Sequence, residues 1–212
     1  FLEAHKQLIE SAYILHINGR HRKLMRSAMA VAKEVGTIIS LDGGAQRYDE
    51  DMKPITEASH IVIVARDYAE KYTGTTNLED ACRIIHERGA FIAGVTDGAN
   101  GSYFVWPDGT SYRCEPFSQA TVVDTTGAGD SFHGAFLYML TKTLCKIADG
   151  TNTSTMNETS QSLNAIDLLH SCAHEDLEKA ATFASAVAAL NTQGIGGRSP
   201  LPSLEDIKAL IG

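Results

Sequence analysis

The sequence predicts an α/β fold: a mostly parallel central sheet with helices on both faces and an antiparallel hairpin at one edge. Short apolar runs of strand length recur at 12–17 (AYILHI), Thr37–Leu41, Ile61–Val64 and Phe91–Val95. Segments with helical spacing of apolar residues separate them, as a sheet buried on both faces requires. Pro107-Asp108-Gly109 then divides two β-rich runs in SYFVWPDGTSYRC, a hairpin signal.

Along the chain, Arg22 to Val35 carries Leu24, Ala28, Val31 and Val35 at helical spacing, and Gly36 fits a left-handed C-cap. The second strand is expected to end at Asp42-Gly43-Gly44. Asn77 caps a helix that runs through Ile84 and Ile85 to Gly89. Val122-Val123 reads as a further strand end, followed by a helix from about Gly129 to Leu140. Residues 150–162 (GTNTSTMNETSQS) are polar and without periodicity, and read as a mobile insertion. Glu175–Leu190 is an Ala-rich helix, and a last helix starts at Ser203 beyond the turn NTQGIGGRSPLP.

With 212 residues, 43% of them hydrophobic, the chain can bury one α/β core. The net charge of −8 repels nucleic acid and anionic membrane surfaces, so neither is expected as a partner. No apolar run approaches the about 20 residues of a spanning helix. Cys82, Cys114, Cys145 and Cys172 are widely spaced without a CxxC, which suits the reduced thiols of a cytoplasmic protein. His170, Cys172 and His174 have metal-ligand spacing but lack a clear fourth ligand, so a structural zinc is disfavoured. Trp106, beside Pro107, reads as hairpin packing.

The stretch VVDTTGAGDSFHGAF, 122–136, carries the chemistry. Asp124 stands at the end of an apolar run, where open α/β sheets gather ligands. Gly127, Ala128 and Gly129 put close-approaching backbone amides at the first turn of a helix, where the macrodipole favours an anion. Asp130 follows in that same turn. An acid beside an anion cradle makes sense if it takes a proton from a hydroxyl while the amides stabilise a transferring phosphoryl group. Asp124 and Thr126 could offer oxygens to a cation. The plain alternative is an acidic N-terminal turn on a glycine-started helix, and the flanking DTT tips the balance toward chemistry.

DTTGAGDSFHGAF resembles the C-terminal signature of the PfkB (ribokinase-like) carbohydrate kinases. ILHINGR is similar to a strand end in the ketohexokinase-like branch, and ASHIVIVARDYAEKYTG to the strand and helix preceding the family's nucleotide site. VTDGANGSYFVWPDG and GIGGRSPLP resemble the nucleotide-binding turn and the C-terminal loop. The resemblance implies that residues 1–212 are the C-terminal two-thirds of one kinase domain, without the family's N-terminal part and lid. It implies ATP with Mg²⁺, and K⁺ as a further ion. The acceptor is a small sugar phosphorylated on a hydroxymethyl group, a ketose or ketose derivative being favoured. A homodimer would form through the absent lid. Asp130 would be the catalytic base and would touch substrate, with Gly127, Ala128 and Gly129 as the anion hole. Thr96, Gly98, Gly101, Arg66 and Asn191 would serve the nucleotide, Arg20 an acidic group of the substrate, and Asp124 with Thr126 the monovalent metal.

Two departures bear on this. Where many members carry Asn-x-x-Glu to organise Mg²⁺, this chain has Ala65-Arg66-Asp67-Tyr68, and Arg66 brings positive charge instead. His133, one turn past Asp130, stands open between tuning that acid, touching substrate and packing as a hydrogen-bonded histidine. A nucleoside kinase of the same fold and a non-catalytic nucleotide-binding homologue are the competing readings.

Overall fold

Each strand expected ahead of residue 115 forms, and burial on both faces explains why. In the computed structural model, which describes residues 2–117, 121–153, 164–198 and 201–212, the strands are β1 (Ile14–Ile17), β2 (Ile38–Gly43), β3 (Ile61–Ala65), β4 (Ile92–Thr96), β5 (Ser102–Val105) and β6 (Ser111–Cys114). They lie in one sheet in that order. β1 to β4 pair in parallel, whereas β5 and β6 add antiparallel at one edge. The helices are α1 (Leu2–Glu10), α2 (Arg22–Val35), α3 (Lys53–Glu57), α4 (Arg66–Thr73), α5 (Leu78–Glu87), α6 (Ala128–Thr153), α7 (Ala165–His170), α8 (His174–Asn191) and α9 (Leu204–Ile211).

The two-residue period of the strands sorts their side chains into two cores. Ile39, Leu41, Val62, Val64 and Val95 pack with Met25, Met29, Tyr68 and Ile85 from α2, α4 and α5. Ile38, Ile61, Ile63, Ile92 and Phe104 point the other way, onto Phe132, Phe136 and Leu140 of α6 and the alanines of α8. Those alanines let α6 and α8 approach each other closely. Trp106 is fully buried and stacks on Phe104 at 4.9 Å and Tyr112 at 5.7 Å, as hairpin packing requires. The same parity has a consequence for function. It turns Asp42, two residues past Ser40 and four past Ile38, toward α6.

The structure corrects several expectations. β2 does not stop at Leu41 but carries Asp42 and Gly43 within the strand. Val122 and Val123 are not a strand. They are 62% and 57% exposed, and the segment is held instead by Val123 and Asp124 N–H groups donating to the Thr192 carbonyl. Branched side chains favour strands only where a neighbour covers them, and here none does. α6 runs well past Leu140, because Leu140 and Leu144 continue its buried stripe. Of the expected insertion at 150–162, residues 150–153 complete α6 and the remainder lies outside the described residues. His170 stacks on Phe91 at 4.1 Å while His174 pairs with Asp108 at 3.2 Å, so the two histidines serve different neighbours. All four cysteines are free, and no helix among the described residues is long and apolar enough to cross a membrane.

Candidate active site

Parallel pairing aligns the carboxyl ends of β1 to β4 at one edge of the sheet. Three groups of residues stand out: two hold residues expected from the sequence, and one is formed largely by others. The first is the turn entering α6. Gly127 has φ +80, and a Cβ there would lie 2.5 Å from the Gly197 Cα, so two glycine backbones are in contact. Asp124 ties the same two loops together. Its Oδ1 accepts the Thr126 N–H at 2.9 Å and its Oδ2 accepts the Gly196 N–H at 2.9 Å. Those backbone donors hold the Asp124 carboxyl below the usual carboxylate range. Asn191 is fully buried, donates from Nδ2 to the Thr126 carbonyl at 3.3 Å, and keeps an Oδ1 without a partner among the described residues. It braces this turn from beneath, a placement the nucleotide expectation did not contain.

The Ala128 N–H donates to the Thr125 carbonyl at 3.2 Å, which takes one of the three expected donors. Those of Gly127 and Gly129 have no partner among the described residues, and both sit where the helix dipole favours negative charge. Asp130 is exposed, with no side-chain partner among the described residues.

The second group was not foreseen. Asp42, 6% exposed, pairs through Oδ1 with His133 Nε2 at 3.2 Å and through Oδ2 with Arg47 Nη1 at 3.2 Å. Arg47 Nη1 also donates to the Asn18 carbonyl at 3.2 Å. His16 of β1 lies alongside, its ring 5.5 Å from that of His133 and its Nδ1 3.3 Å from Ser40 Oγ. The His16 ring is open to solvent on one side but otherwise crowded by protein. That desolvation, followed by the neighbouring His133, lowers its pKa, while the charges of Asp42 and Asp130 pull the other way. Signals for this group existed in the acid closing an apolar strand and in His133 itself, but nothing local joined them.

Burial alone would raise the Asp42 pKa. The His133 hydrogen bond, the His133 charge and then Arg47 more than offset it, leaving the pKa lowered. A depressed folded-state pKa means the unfolded chain takes up the proton first. This carboxylate therefore adds stability above about pH 4, and that stability is lost as pH falls below it. Asp42→Asn, which removes the charge and turns an amide N–H toward one of the two donors, is expected to cost about 1.5–3 kcal/mol at neutral pH. Urea unfolding at pH 3, 4 and 7 should show a shallower acid loss in the variant than in the parent.

The third group is the turn after β4. Arg66 Nη2 pairs with Asp97 Oδ2 at 2.8 Å, and Asn100 Nδ2 donates to the same oxygen at 3.0 Å. Arg66 does reach the Thr96 turn, but its charge is met there by Asp97. Thr96 Oγ1 donates to the Val64 carbonyl at a long 3.5 Å. Gly98 has φ +51 with open space beside it. At Gly101, φ +85, a Cβ would fall 2.3 Å from the Cys114 carbonyl oxygen. Gly101 is thus glycine because the backbone leaving β6 crosses it, and Gly98 is the one that leaves room for a ligand. Arg20 lies three residues beyond the end of β1, exposed and with no side-chain partner among the described residues. Two surface hollows lie elsewhere, one beside Phe183 and Ile211 and one between α2 and α3, and neither includes a residue of these groups.

Comparison with known proteins bears on the family and the fold. The chain is 23% identical to the 5-dehydro-2-deoxygluconokinase of Shouchella clausii over 96% of its own length and 57% of that protein's. It is 28% identical to the probable fructokinase-5 of Arabidopsis thaliana, covering 99% of this chain and 61% of the relative. The fold matches the ribokinase of Giardia lamblia with a TM-score of 0.74 at 17% identity, over 99% of this chain and 62% of that one. The chain therefore spans about three-fifths of the length of these relatives. The model of the pfkB family carbohydrate kinases matches residues 1–204, and with that match over nearly its whole length the chain belongs to this family.

Proposed function

We propose that this protein transfers the terminal phosphoryl group of ATP to a hydroxymethyl group of a small sugar, a ketose or ketose derivative being favoured. One observation carries the reading: an unpaired carboxylate, Asp130, shares a helical first turn with the uncommitted Gly127 and Gly129 amides. Asp130 has no side-chain partner among the described residues, and Gly129 has neither a positive φ nor a close neighbour that would require glycine there. In the reaction, the acceptor hydroxyl gives its proton to Asp130. Its oxygen bonds to the γ-phosphorus as the bond from phosphorus to the ADP oxygen breaks. The Gly127 and Gly129 amides stabilise the charge on the transferring group, which is where such catalysts gain most. The Gly98 turn leaves space for the nucleotide's phosphates.

The fit to metals differs between ions. Asp124, its pKa lowered by the Thr126 and Gly196 amides, is the acid that would serve a monovalent cation such as K⁺ next to the anion cradle, with Thr126 as a further oxygen ligand. A protein-held Mg²⁺ does not fit the Ala65–Tyr68 stretch. Arg66 is paired with Asp97, and Asp67 Oδ2 accepts the Gln46 N–H at 2.6 Å. Among the described residues no three acidic, histidine or cysteine side chains cluster as a metal site. Mg²⁺ would then arrive bound to the ATP phosphates.

The substrate preference leans on relatives described as a fructokinase and a dehydro-deoxygluconokinase. A nucleoside acceptor has support from a cytidine kinase of Thermococcus kodakarensis, 31% identical over 41% of this chain. A coupled assay of ADP release by the full natural protein, with fructose, ribose and cytidine compared under Mg-ATP, separates these. The reading expects turnover with the ketose above the other two. Turnover with cytidine alone would move the acceptor class to nucleosides, and ATP binding without turnover on any acceptor would reject catalysis.

A further inference from the structure

We propose that His133 is the positioning residue for Asp130, clamping the first turn of α6 to the end of β2 through Asp42. The inference rests on the phosphotransfer reading above. A paired histidine and aspartate, 5% and 6% exposed, are an expensive way to fill the space between a helix and a sheet. Moving both from water costs about what their attraction returns, and an apolar pair would pack there as well. The flanking positions take that apolar route, with Phe132 and Phe136 on α6 and Ile38 on β2. The exception falls at the turn that carries Asp130.

The geometry says what the exception does. His133 follows Asp130 by three residues, so the two side chains leave neighbouring faces of one helical turn. Asp42 is fixed in a strand paired on both sides, and Arg47 grips its second oxygen while also holding the Asn18 carbonyl after β1. A bond from His133 to this anchor opposes rotation of α6 about its axis, and such rotation would swing Asp130 away from the acceptor hydroxyl. The loop before α6 is tied to the turn after α8 through Asp124, Asn191 and the Gly127–Gly197 contact, whereas the contact of His133 with Asp42 ties the helix itself to the sheet. The ionisable groups in contact with His133 are Asp42 from β2 and His16 from β1; Arg47, from the loop after β2, holds the other Asp42 oxygen, and Asp130 lies three residues back on the same helix.

The test uses the full natural protein with ATP and whichever acceptor it turns over. His133→Leu keeps the side-chain bulk and deletes the donor. It should lower kcat by about 10–10²-fold, the loss expected when a reacting group is displaced by about 1 Å. KM for ATP and acceptor should stay within about threefold, because substrate binding is not what is removed. His133→Gln, whose Nε2 reaches about as far as the imidazole Nε2, should recover most of the rate. In an Asp130→Asn background, His133→Leu should cause no further loss, since it acts through the carboxylate already removed. If His133→Leu does not fold, Asp42→Val, which has no acceptor oxygen, breaks the clamp from its other end and carries the same kinetic expectation. The proposal is overturned by wild-type kcat in His133→Leu, by a loss that His133→Gln does not recover, or by an equal further loss in the Asp130→Asn background. A parent protein that phosphorylates neither sugars nor nucleosides rejects the phosphotransfer reading itself, a result distinct from those three.

Discussion

Asp130→Asn is expected to lower kcat by about 10²–10⁴-fold, the range for removing a positioned general base. Its effect on stability should be small. The side chain is exposed and has no partner among the described residues, so no hydrogen bond or packing is lost. What disappears is one negative charge in the first turn of α6, where it complements the helix dipole. That is worth about 0.3–1 kcal/mol at low ionic strength and less in salt. ATP affinity should hold or rise slightly, because the variant removes a negative charge beside the phosphates. Rate, melting temperature and ATP binding measured on one preparation therefore separate a base from a helix-capping acid. A tenfold or smaller loss of rate would leave Asp130 with the latter role.

The parts of this fold that could be read from the sequence are those whose cause is local. Ile61–Val64 and Phe91–Val95 are apolar at consecutive positions because both faces of the sheet are covered, and such runs declare themselves. Asn77 caps α5 by accepting the Glu79 and Asp80 N–H groups, a bond made within four residues. Val122 and Val123 misled because branched residues announce a strand whether or not the sheet has a neighbour to offer. α7 went unseen because six residues behind a polar stretch have little periodicity, although its Asn164–Asp167 capping box was present. The site divides in the same way. Asp124, Gly127 and Asp130 lie in one short motif whose spacing carries meaning. Asp42, Arg47 and His133 meet only because α6 crosses the end of β2, and the parity that turns Asp42 toward it depends on β2 continuing past Leu41. No window of sequence holds both ends of that contact.

Gly127→Ala is expected to damage both the fold and the rate. The residue's φ of +80 disfavours any side chain, at about 1–2 kcal/mol. The added Cβ would also stand 2.5 Å from the Gly197 Cα and 3.1 Å from its carbonyl oxygen, contacts with backbone that no rotamer change relieves. One of the two loops must move, and what joins them moves with it: the Asp124 bond to the Gly196 amide and the Asn191 bond to the Thr126 carbonyl. A combined cost of about 2–4 kcal/mol follows from strain plus overpacking. If the displaced backbone carries the proposed anion-hole amides, kcat should fall by about 10²-fold or more. Gly129→Ala is the control for the fold. Gly129 lies two residues further on without a positive φ, and a Cβ there meets nothing within 4 Å. Helix propensity should make that variant slightly more stable than the parent. Chemical denaturation of the two alanine variants side by side decides the matter, since equal stabilities would mean that the Gly127–Gly197 contact does not hold the two loops in register.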